Sequence, residues 1–160
     1  MQVLLVTAAL CPFIFGQKQS GKPFVDAKTV SAEIDSQGPA IVLKKFTSGS
    51  GRQWKTVLHG IESGSPAWLE VAAKLLTASD AGHTTDLYFS LAMALTRNAA
   101  GVLAMVGPNL PIKQVCSVPY IEPDAETIAK HRKKARAALE KVNSTDLASQ
   151  KAACLAALEH

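Results

Sequence analysis

Apolar residues recur three and four apart along most of this chain, the period of helices that bury one face. The clearest case is 52–61, where Trp54, Val57, Leu58 and Ile61 fall at i, i+3, i+4 and i+7. Ser65 and Pro66 then supply a cap and a first helical position. Behind them Trp68, Leu69, Val71, Ala72, Leu75 and Leu76 build a broad apolar face. Residues 77–82 read as its end and a loop. A third face runs through Leu87, Leu91, Met93, Ala94 and Leu95, and the spacing predicts a start at a cap of Thr84 or Thr85. Shorter elements flank this block. Asp26 caps a helix carrying Val30 and Ile34, Gln37-Gly38-Pro39 breaks it, and residues 40–46 form the next. Asn98 precedes a short helix over 99–106, which Gly107-Pro108-Asn109-Leu110-Pro111 stops.

The period is lost over 112–123, where Pro119 and Pro123 interrupt an apolar stretch. An extended strip is expected there, laid over the helices and held at Cys116. Asp124 then caps a long helix over 125–142, with Ile128, Ala135, Leu139 and Val142 inward. Ser144 or Thr145 starts a last helix that turns Leu147, Cys154, Leu155 and Leu158 inward.

Composition supports this pattern. Apolar residues make up 48% of the 160 and aromatics only 6%, which favours helices in close contact over a β-sandwich. Tight turns between short helices imply antiparallel neighbours. The fold expected is all-α: stacked antiparallel helical hairpins with one extended, disulfide-pinned segment, in a single domain over 26–158.

The ends differ from this body. Residues 1–16 are an apolar run with the length of a secretory signal's core, ending at the small residue Gly16. It is shorter than the about 20 residues a membrane span needs, so no stable span is expected. Residues 17–25 read as a linker. Residues 159–160 resemble an expression-tag junction. The chain has three cysteines, and losing residues 1–16 removes Cys11 and leaves Cys116 and Cys154 as an even pair. A bridge between them would close a loop of roughly forty residues, worth about 4 kcal/mol in the chain-entropy account. If residues 1–16 stay in the fold instead, a reduced, cytoplasmic protein with buried thiols is expected.

Charge and chemistry add candidates. Lys130-His131-Arg132-Lys133-Lys134-Ala135-Arg136 is the densest charge, within a net charge of +4. A basic helix can grip phosphates or an acidic protein surface. No aromatics interleave it, and Glu126–Lys130 and Arg136–Glu140 stand four apart, the spacing of a solvated, salt-bridged face. His59 with Glu62, and His83, are the residues from which a hydrolase would have to be assembled. There is no HExxH pattern and no GxSxG elbow, so surface or capping histidines are the better reading. Trp54 and Trp68 sit on apolar stripes and read as core packing between their two helices. Thr47-Ser48-Gly49-Ser50-Gly51 lacks the Gly-Lys-Ser/Thr of a phosphate loop. No Cys/His spacing calls for zinc, and no cofactor is expected. The strip over 118–123 is the best interaction candidate: Val118, Tyr120, Ile121 and Glu122 are costly to leave unpartnered, with Lys130, Lys133 and Lys134 on the helix that follows.

Four stretches carry a resemblance: Ser63-Gly64-Ser65-Pro66-Ala67-Trp68-Leu69-Glu70-Val71-Ala72, Ser79-Asp80-Ala81-Gly82, Ala94-Leu95-Thr96-Arg97-Asn98 and Val115-Cys116-Ser117-Val118-Pro119-Tyr120-Ile121-Glu122. Over about 26–158 the chain resembles a group of small exported all-helical proteobacterial proteins of unassigned function. In general plan it is similar to the helical periplasmic immunity proteins that block cell-wall-degrading effectors. The leader-like start, the even cysteine pair and the lack of catalytic motifs together point to an exported, non-enzymatic module that binds another protein, as an inhibitor or immunity factor. The alternatives are an intracellular binder of nucleic acid or an acidic partner through 130–136, and a hydrolase using His59, Glu62 and His83.

Overall fold

The computed structural model describes residues 25–159. Residues 1–16, expected to be a leader, residues 17–24 of the expected linker, and His160 are not among the described residues. Among them the chain forms nine α-helices: α1 (Ala27–Gln37), α2 (Pro39–Thr47), α3 (Arg52–Glu62), α4 (Pro66–Leu76), α5 (Ala81–Leu95), α6 (Ala99–Ala104), α7 (Ile112–Val115), α8 (Ala125–Glu140) and α9 (Ala148–Ala157). A 3-10 turn, Thr145–Leu147, leads into α9. No strand occurs among the described residues, only an antiparallel bridge between Gly107 and Leu110. The all-α expectation holds.

Local chemistry sets most of the ends. Asp26, Asn98 and Asp124 each accept the main-chain N–H three residues on, from Thr29, Gly101 and Thr127. Pro39 and Pro66 open α2 and α4, where a missing N–H costs nothing. One start falls elsewhere than expected. Asp80, not Thr84 or Thr85, caps α5, its Oδ1 accepting the His83 N–H at 3.0 Å. Thr84 Oγ1 shares a 2.6 Å hydrogen bond with Ser79, and the Thr85 hydroxyl donates back to the Ala81 carbonyl at 3.0 Å, so both threonines serve inside the first turns. A second difference lies at 112–123. Its first four residues form α7, and the extended strip begins only after Cys116. Helices α6 and α8 also end two residues early, at Ala104 and Glu140.

Helix α5 is the centre. It touches α3 most extensively and also α4, α6, α7 and α8, and its Leu87, Leu91 and Leu95 are fully buried. Asn98 fastens the turn after α5 to the turn after α3: its amide donates to the Gly64 carbonyl at 2.7 Å while its carbonyl oxygen caps α6. On the outer side, Lys74 of α4 reaches Asp35 at 2.7 Å and Ser31 at 2.8 Å, both on α1, and Glu70 of its own helix at 3.0 Å. The hydrogen bond that Lys74 donates to Asp35 leads in raising the Lys74 pKa above its ordinary value.

The tryptophans take different roles. Trp68 lies on α3 at Gly60, where an added Cβ would meet the indole at 2.3 Å. Trp54 instead turns from α3 towards α5, buried, with its indole N–H donating to Asp86 at 2.8 Å. Trp68 thus packs between α3 and α4, and Trp54 between α3 and α5.

Gly60→Ala, which would add helix propensity on an open helix, is expected to destabilise by about 1–3 kcal/mol through overpacking on Trp68. Trp68→Leu in the same background should recover part of that loss in urea unfolding. A stability gain in the single variant would contradict the packing described. Replacing Cys116 and Cys154 together by Ala is expected to lower unfolding free energy by about 4 kcal/mol, abolishing the dependence of stability on reductant. A variant as stable as the oxidised parent would show that the bridge contributes nothing.

Candidate functional site: a disulfide-pinned strip beside a basic cleft

Cys116 ends α7, its N–H donating to the Ile112 carbonyl at 3.0 Å, and its sulfur is bonded to Cys154 of α9. The two Cα atoms are 5.2 Å apart and both residues are fully buried. The chain therefore leaves the core at a fixed point. Val118 is half-buried and Pro119 buried, and the Tyr120 N–H closes a tight turn on the Val118 carbonyl at 3.0 Å. The next residues face outward. Tyr120 is 40% exposed and Ile121 is 83% exposed. Glu122, also exposed, takes a φ of 49°, a left-handed conformation that costs a non-glycine residue on the order of 1 kcal/mol. Pro123 follows, and Asp124 caps α8 with a 2.6 Å bond from the Thr127 N–H. The strip is thus anchored at both ends.

Of the four strip residues expected at an interface, Tyr120, Ile121 and Glu122 face solvent, whereas Val118 turns inward. The Tyr120 hydroxyl donates to Met93 Sδ of α5 at 3.4 Å, and its ring meets the His131 ring edge-on at 6.0 Å. Tyr120 and Met93 form a wall between two clefts. One, of about 320 Å³, is lined by Thr96, Arg97, Thr127, Lys130, His131 and Lys134 as well as the wall residues. The other, of about 270 Å³, contains Glu62 and Asp86 beside Leu58 and Phe89. Arg97 and Lys134 continue into a third depression of about 430 Å³ with Lys141.

Lys130 and Lys134, four apart, share the basic cleft, whereas Lys133 is exposed but does not line it. The salt-bridged face expected on α8 does not form: neither Glu126–Lys130 nor Arg136–Glu140 pairs, and Arg136 instead meets Glu159. Arg97, Lys130 and Lys134 make no ion pair among the described residues. The sequence reading missed Arg97 and Met93, which the end of α5 delivers to the cleft. It also took His131 as one more surface cation, although it lies on the inner stripe of α8.

His131 is only 4% exposed. Burial is the main reason its pKa lies below the ordinary value of 6.5, Lys134 adds to that, and a main-chain hydrogen bond with Ser117 works against it. Its Nε2 is buried without a hydrogen-bond partner.

The residues proposed for hydrolysis are arranged otherwise. His59 pairs with Glu62 at 3.1 Å, its side chain 84% exposed. His83 pairs with the capping Asp80 at 2.8 Å and packs edge-on against Trp54 at 5.6 Å. Each histidine is thus held by a carboxylate three residues away, and neither hydrogen-bonds the other. Among the described residues no group of three or more His, Cys, Asp or Glu is placed to hold a metal, and no helix is long and apolar enough to cross a membrane. Comparison with protein-family profiles, curated proteins and solved structures finds no match to the chain.

A histidine whose folded pKa is depressed resists protonation in the folded state, so its contribution is complete above the unfolded value of 6.5 and is lost as pH falls below it. Asp26, Asp80 and Asp124, lowered chiefly by the main-chain N–H bonds they accept, titrate below 3.8 and do not overlap that window. Thermal unfolding followed from neutral pH to just above the carboxylate range should therefore show a fall in Tm. The fall should shrink in His131→Gln. Equal pH dependence in both proteins would mean that His131 is solvated.

Proposed function

We propose that the protein is an exported helical module that binds another protein through Tyr120, Ile121 and Glu122, with Lys130, Lys134 and Arg97 alongside, acting as an inhibitor or immunity factor. The observation that carries this reading is Ile121, an aliphatic residue 83% exposed on a strip whose two ends are fixed. A strip already held in place loses little conformational freedom on docking. An aromatic and an aliphatic side chain beside cations without ion-pair partners fits a partner with an apolar pocket and an acidic rim. The Cys116–Cys154 bond agrees with an oxidising compartment, as export would supply.

The nucleic-acid reading has less behind it. Within 130–136, His131 is buried, Arg132 is half-buried and Arg136 is paired with Glu159, which leaves Lys130, Lys133 and Lys134 as the open cations. No observation favours the hydrolase over either binder.

The test is affinity capture from envelope extract with the oxidised protein, followed by titration of the captured protein against the parent and Ile121→Asp. A hot-spot residue predicts at least about a tenfold loss of affinity, with folding unchanged. An interaction insensitive to Ile121, or salt-dependent binding of DNA or RNA in place of protein, would overturn the proposal.

A further inference from the structure

One side chain lining the basic cleft carries a polar atom that has no hydrogen-bond partner in the fold. His131 lines it, is more than nine-tenths buried, and leaves Nε2 without a partner. Buried side-chain nitrogens are seldom left bare, so this one calls for a reason. The surroundings supply it. From α5 and the turn behind it come Met93, Thr96 and Arg97, from the strip Tyr120, and from α8 itself Thr127, Lys130 and Lys134. The charged residues in that lining are all cations, no carboxylate faces the cleft, and the two threonine hydroxyls can donate. The cations crowded into the cleft repel one another, and burial, with Lys134 adding to it, disfavours protonation of the ring. An oxyanion would relieve both conditions, since Arg97 offers a planar fork, the lysines offer point charges, and a protonated His131 would turn Nε2 into a donor.

We propose that the cleft lined by Thr96, Arg97, Thr127, Lys130, His131 and Lys134 is a binding site for an oxyanion, and that in the complex it seats an acidic side chain of the protein partner. This deepens the protein-binding reading and rests on it for the source of the anion, though not for the existence of the site. Binding takes up a proton from solvent at His131 Nε2, so affinity rises as pH falls. The sign follows from the surroundings: an anion stabilises the imidazolium that burial and Lys134 otherwise oppose. The site also explains why Lys130 and Lys134 stay unpaired although Glu126 is four residues from Lys130. Their charge is available to a ligand.

The test uses the full oxidised chain and follows the His131 ring signal by NMR during titration with inorganic phosphate and, separately, with acetyl-glutamate amide. Saturable shifts are expected with both, tighter below pH 6.5 than above it. Affinity should be about tenfold weaker in Lys130→Gln/Lys134→Gln, since a hydrogen bond to a charged group is worth roughly that factor. Saturation by phosphate alone would keep the oxyanion site and overturn the acidic side chain as its occupant. Shifts that grow linearly without saturating, or equal affinity in the double variant, would overturn the site itself. Neither failure touches the Ile121 titration, so the two readings fail separately.

Discussion

The bond between Cys116 and Cys154 is the constraint on which the candidate face depends. It ties the end of α7 to α9, and α8 packs against α9 and α5, so the strip between Cys116 and Asp124 is stretched over a surface already closed. Without that anchor, the start of the strip would be held by the packing of α7 on α5, and the strip itself by Val118, Pro119 and the contact of Tyr120 with Met93 and His131. Those are few and shallow contacts against the conformational entropy of seven residues, about 1–2 kcal/mol each. The left-handed Glu122 is consistent with a segment whose path is imposed from both ends.

What the strip divides follows from the helices under it. Helix α5 runs through the middle of the fold, and its outer edge carries Asp86, Phe89 and Met93, with Arg97 in the turn that follows, from acidic to basic. Tyr120 lies across Met93, so the acidic cleft with Glu62 and Asp86 falls on one side and the cleft with Arg97, Lys130 and Lys134 on the other. A partner on this face meets an apolar ridge between opposite charges, an arrangement that fixes orientation as much as affinity. Beneath the ridge lies the buried His131, whose pKa burial holds below 6.5.

Most of the fold was legible because its determinants are local. Asp26, Asn98 and Asp124 work as caps, Pro39 and Pro66 open helices, and the stripes of α3, α4 and α5 are long enough to read. The cysteine pair was reached by parity. Asp80 was missed because Ala81-Gly82 looks like the tail of a loop and two threonines stand where a cap would suit. The site was less legible because tertiary placement builds it. His131 falls at the inner positions of α8 with Ala135 and Leu139, but a basic run hides a buried residue from any reading by charge. Arg97 is a lone cation in a turn until α8 is laid against α5. Glu126–Lys130 had the right spacing for an ion pair, yet spacing alone did not make one.

The most direct test of this account is amide hydrogen exchange on the oxidised and the reduced protein. It predicts that reduction strips protection from the main-chain amides of residues 112–122 and from the His131 turn of α8, while the cores of α3, α4 and α5 keep theirs. Uniform loss across all helices, or an unchanged strip, would show that the disulfide is not what holds the face in place.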